Sequence, residues 1–158
     1  MKIKYHKKIR LDAEIYKTPG LPCSITICTR KRNPIFNKKK LAEECLNLLK
    51  EISSLNNIPI YAYCIMPDHI HLLLSASEQL GIIEFISRLK NLTTRIAWKH
   101  NFQGKIWQKS FYDHFLRKDE DIEKVAIYIL NNPVRKGLVQ EWRDYPFCGS
   151  LVFDLDSK

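Results

Sequence analysis

Residues 58–75 read IPIYAYCIMPDHIHLLLS. Two runs rich in β-branched and aromatic residues flank Pro67-Asp68. Proline presets φ at the first position of a tight turn and aspartate suits the second, so the stretch predicts a β-hairpin. Side chains alternate faces along a strand. His69 and His71 therefore share one face, and Ile70, Leu72 and Leu74 the other. If the leucine face packs on helices, both imidazoles look out from the open face.

The rest of the chain fits around this hairpin. Upstream, CSITICT (residues 23–29) alternates as a strand, RKRNPIFNKKK forms a basic loop, and Leu41, Cys45, Leu48, Leu49 and Ile52 recur at helical spacing over residues 39–55. Downstream, Ile82, Phe85, Ile86, Leu89, Thr93 and Ile96 mark the buried stripe of a helix over residues 78–100. SFYDHFLR (residues 110–117) reads as a fourth strand. Asp119 is placed to cap a final helix that ends before Pro133. This order predicts an α+β, ferredoxin-like (βαββαβ) fold: a four-stranded antiparallel sheet with helices on one face, plus a C-terminal helix.

The 158 residues suit one domain over 1–158, with a basic arm (1–20) and a tail (143–158). Lys and Arg number 26 against 17 Asp and Glu, a net charge of +9. Such a surface favours a polyanion, nucleic acid above all. The longest apolar stretches are far shorter than the roughly 20 residues needed to span a bilayer. The charged N-terminus lacks a signal-peptide core. Five scattered cysteines without a CxxC pair suggest reduced, mostly buried thiols in a cytoplasmic protein.

Two neutral imidazoles spaced as His69 and His71 can chelate one divalent ion; two hydrogen-bonded structural histidines are the alternative. The final helix offers a third donor. At about 100° per residue, Ile122, Val125, Ala126 and Ile129 form its core stripe. Tyr128 is displaced to one flank, with Asn132 four residues on beside it. A phenol can attack phosphorus, and an amide oxygen can complete a hard-metal site. An ordinary core aromatic beside a helix-terminating Asn accounts for the same pattern.

Together, YCIMPDHIHLLL and IWQKSFYDHFLRKDEDIEKVAIYILNNPVRKGLV resemble the REP-associated tyrosine transposases. These are single-tyrosine members of the HUH nuclease superfamily, related to the small insertion-sequence transposases. The match runs over residues 23–142 and rests on the His-x-His and Tyr-x-x-x-Asn-Pro motifs at the expected separation. The resemblance implies a ferredoxin-like fold, Mg²⁺ or Mn²⁺ as cofactor, and single-stranded DNA with hairpin structure as partner. His69 and His71 become metal ligands, Tyr128 the nucleophile and Asn132 the third ligand. The insertion-sequence relatives usually carry Gln there, so Asn is a departure, shorter by one methylene. The implied chemistry is endonucleolytic transesterification: Tyr128 keeps the 5′-phosphate as a phosphotyrosine and releases a 3′-hydroxyl that can later rejoin DNA. The family acts as monomers or homodimers.

Arg88, Arg95 and Lys99 share a helix flank and are candidate DNA contacts, with Trp107, Tyr61, Tyr63 and Phe111 as candidate stacking platforms. His114 is open between a site residue, a partner behind the metal ligands and a structural histidine. Two rival readings are a non-catalytic single-stranded nucleic-acid-binding module and a metal-dependent phosphodiesterase in which water attacks.

Overall fold

A computed structural model describes residues 12–156. The chain runs β1 (Cys23–Cys28), α1 (Lys39–Asn56), β2 (Ile60–Met66), β3 (His69–Leu74), α2 (Ile82–Lys99), β4 (Tyr112–Phe115), α3 (Ile122–Leu130), α4 (Asn132–Arg135) and β5 (Cys148–Gly149). These strands pair antiparallel throughout, in the order β4-β1-β3-β2-β5. The sheet thus has five strands rather than the expected four. The extra one lies inside the supposed tail, where two residues pair with Tyr63 and Cys64 of β2. So short a strand carries no readable alternation.

The two faces of the sheet differ. Ile25, Ile27, Ile70, Leu72 and Leu74 project to one side and pack against Leu41, Cys45 and Leu49 of α1 and Phe85, Ile86 and Leu89 of α2. This is the main core, and it confirms the direction expected for the leucines. On the other side Ala62, Cys64, Met66 and Leu73 meet Ala126 and Ile129 of α3 in a smaller cluster. The face expected to be open is therefore partly covered. β2 lies between the two layers and is buried along almost its whole length.

Local chemistry sets the element ends. α1 stops where Asn57 takes a left-handed conformation (φ 52°), which asparagine tolerates better than most residues. α3 is capped by Asp121, not Asp119: its carboxylate accepts from the Glu123 amide at 2.9 Å. α3 ends at Leu130, and a new four-residue helix opens at Asn132 with Pro133 in its first turn. Pro133 was expected to end a helix; here it begins one, where its missing amide costs no hydrogen bond.

Residues 1–11 of the expected arm lie outside the described residues. The rest of it is mostly exposed but anchored at one point. Tyr16 is buried edge-on against Phe115, and its hydroxyl donates to Asp113. Four of the five cysteines are buried, and all five are free thiols. Among the described residues no helix is long and apolar enough to cross a membrane.

Candidate active site

The second face of the sheet is not apolar throughout. Beside the α3 cluster, β1 and β3 present Ser24, Thr26, His69 and His71, all set there by the two-residue period of a strand. With α3, α4, β4 and the loop after β1 they enclose a cavity of about 540 Å³. Tyr128, Asn132, Arg32, Arg135, Lys136, Tyr112, Asp113 and His114 also line it. All four residues expected to carry the chemistry are thus brought together.

His69 is held at both ring nitrogens. Its Nδ1 donates to Asp68 Oδ1 at 2.8 Å, and its Nε2 meets the Asn132 amide at 3.1 Å. Asp68 in turn accepts from Arg32 Nε at 2.9 Å. The carboxylate fixes the tautomer, so Nε2 turns a lone pair toward the cavity. Burial pushes the His69 proton affinity down, against the opposing pull of Asp68. His71 is lowered further, to about 4, by burial first and then by the nearby charges of His69 and Arg135. Both rings are neutral at pH 7, the form in which an imidazole binds a cation. Asp68 is held below the usual carboxylate range: burial works against this, and the His69 and Arg32 contacts outweigh it.

Asn132 and Tyr128 end up unlike each other. The kink at Asn131 turns the Asn132 amide inward, where it is 8% exposed, while Tyr128 on α3 stays 57% exposed at the rim. A nucleophile must reach a polymeric substrate and a ligand must not wander, so the two environments suit the two expected roles. His71 Nε2 lies 3.2 Å from Ser24 Oγ, a contact the sequence did not suggest.

Among the described residues no three His, Cys, Asp or Glu side chains cluster as a cation site. The candidate donors are instead two imidazoles and an amide, and their chemistry fits a divalent ion. Turning the Asn132 amide end for end moves no heavy-atom position and puts its oxygen 3.1 Å from His69 Nε2. Neighbouring donors on an octahedral ion with bonds of about 2.1 Å are about 3.0 Å apart.

Other expectations fall elsewhere. His114 lines the cavity, but its Nε2 pairs with Glu120 at 2.9 Å. Arg88, Arg95 and Lys99 are exposed on α2, which covers the opposite face of the sheet, and none lines the cavity. Trp107 is corrected to a core residue: it is 8% exposed, tilted against Phe36, and bonded through Nε1 to Thr93 Oγ1 at 2.9 Å. Tyr63 and Phe111 are buried too, and Tyr61 leans on Phe153 with its hydroxyl at Ser75. None of these offers an open platform. Arg32 reaches the cavity from the basic loop RKRNPIFNKKK, and Arg135 and Lys136 are cavity cations that no sequence pattern singles out. The only available signal was their place in basic runs beside the motif residues.

This frame, a sheet whose inner strands turn paired histidines toward a tyrosine-bearing helix, can be set beside known proteins. Residues 18–132 match the family described as "Transposase IS200 like", and the chain belongs to that family. It is 36% identical over 97 residues to a candidate REP-associated tyrosine transposase of Haemophilus influenzae, covering 54% of this chain and 55% of that one. It is 31% identical over 88 residues to the REP-associated tyrosine transposase of Escherichia coli, covering 56% and 52%. The chain thus matches about half the length of these curated relatives. A solved REP-associated tyrosine transposase bound to a REP hairpin superimposes with a TM-score of 0.71 at 21% identity, covering 90% of this chain and 82% of that one. At that identity the likeness is one of fold.

Proposed function

We propose that this chain is a divalent-cation-dependent transposase that cuts and rejoins single-stranded DNA beside a hairpin, with Tyr128 as nucleophile. One observation carries the reading: the Tyr128 phenol, two neutral imidazoles and the Asn132 amide share one cavity whose rim bears Arg32, Arg135 and Lys136. The order β4-β1-β3-β2, with α1 and α2 on one face, is read as ferredoxin-like, with β5 added at one edge.

His69, His71 and Asn132 would hold Mg²⁺ or Mn²⁺, which supplies charge withdrawal from the phosphate as negative charge builds up. The protein's own groups do the rest. Asp68 keeps His69 in the ligating tautomer. Arg32 and Lys136 at the rim attract the phosphodiester. The Tyr128 oxygen forms a bond to phosphorus as the bond to the 3′-oxygen breaks, and the phenolic proton passes to that leaving oxygen. The 5′-phosphate stays on Tyr128. Attack by a 3′-hydroxyl reverses the exchange and joins strands without a nucleotide cofactor. All four groups come from one chain, so the reading needs no partner subunit.

The test is incubation with single-stranded hairpin DNA from the gene's own flanks, with Mn²⁺ or with EDTA, read on a denaturing gel. A Mn²⁺-dependent covalent adduct is expected. Tyr128→Phe should lose at least a thousandfold in cleavage, the usual scale for removing a nucleophile, and still bind the hairpin. Binding without cutting would make the protein a nucleic-acid-binding module, and cutting without an adduct would make water the nucleophile.

A further inference from the structure

Arg135 makes two contacts with one residue. Its guanidinium carbon sits 3.7 Å from the centroid of the Tyr128 ring, and its Nη1 donates to the Tyr128 carbonyl at 2.7 Å. Tyr128 lies in the last turn of α3, where carbonyls run out of donors within the helix. Arg135 comes from α4, beyond the kink at Asn131. One side chain thus bolts the helix of the phenol to the helix of the amide. Among the described residues Arg135 pairs with no carboxylate. It nevertheless lies close enough to His71 to depress that ring's proton affinity.

An exposed tyrosine has soft side-chain torsions and would sample several positions at the rim. A guanidinium set over its ring and bonded to its backbone removes that freedom. Lysine cannot substitute: a point charge lacks the planar fork that stacks and donates at once. We propose that Arg135 is the positioning residue for the Tyr128 nucleophile, holding the phenol at the rim of the cavity that the two imidazoles line, for attack on the DNA phosphate. This rests on the transesterification reading above. It assigns to Arg135 a role in the rate of the chemical step, not in holding the DNA.

The experiment is single-turnover cleavage at saturating hairpin DNA and Mn²⁺, alongside hairpin affinity measured in Ca²⁺. Arg135→Ala should slow adduct formation about a hundredfold, the scale of a misplaced reacting group. Hairpin affinity should stay within about threefold, since a single phosphate contact at most is lost. Arg135→Lys should recover less than a tenth of the loss. Free guanidinium ion should partly restore the Ala variant, and NaCl at equal ionic strength should not. Both variants should melt with the wild type, because Arg135 is exposed.

Full activity in the Lys variant, or a loss confined to hairpin affinity, would overturn the assignment. If the wild type itself forms no adduct, the transesterification reading fails first. If the wild type reacts and the Ala variant reacts equally fast, only the role of Arg135 fails.

Discussion

The two faces of one sheet show how a fold divides its tasks. On the α1/α2 side, Ile25, Ile27, Ile70, Leu72 and Leu74 are fully buried in an unbroken apolar layer. On the α3 side the same strands carry Ser24, Thr26, His69 and His71, and only the β2 half is sealed by side chains of α3. Strand alternation lets neighbouring residues serve opposite needs. Ile70 is buried in the core, and the histidines on either side of it face the cavity. The two imidazoles thus stand on an inner strand of the sheet, while α3, α4 and the loop after β1 bring the other groups to them.

That contrast can be broken from either side. The largest effect should come from the apolar layer. Phe85 is fully buried, and Phe85→Ala should cost about 3–5 kcal/mol by the usual scale for emptied cores. Urea unfolding would measure this. Cleavage per folded molecule should hardly change, and a parallel loss of both would show the faces to be coupled.

A smaller, opposite effect is expected at Asn132. Asn132→Ala should weaken Mn²⁺ binding at least tenfold by calorimetry, in line with what disturbed metal sites lose. Its cost in stability should be only about 1–2 kcal/mol, that of one buried hydrogen bond.

The smallest effect is a pH dependence. His71 takes its proton at about 4 in the fold and at 6.5 when unfolded. Between these values the unfolded chain binds more protons, so stability falls as the pH drops through the window. One such group contributes at most about 1.4 kcal/mol per pH unit. Metal-free protein should therefore melt lower at pH 5 than at pH 7, beyond what an acid-insensitive His71→Asn variant shows. Equal slopes would mean that the ring is more hydrated than its surroundings suggest.

Much of this was legible in the sequence, because short-range geometry governs it. The two-residue period set His69 and His71 against the leucines, and the 100° step set Tyr128 on a flank. What the sequence hid depends on tertiary placement. A basic flank on α2 says nothing about which side of the sheet it will face, so Arg88, Arg95 and Lys99 fell across from the cavity. Trp107 stood in no periodic pattern and proved to be core. The kink at Asn131 escaped because Pro133 suits the start of a helix as readily as the end of one.

The run Arg32, Asp68, His69, Asn132 leads from solvent to the interior in three contacts of 2.9, 2.8 and 3.1 Å. Its outer link is an exposed ion pair, of the kind that adds little to stability and weakens as salt is raised. Here that link backs the carboxylate that tunes a donor nitrogen two steps inward. Ionic strength outside the protein therefore has a handle on the electron-donating power of an atom it never touches.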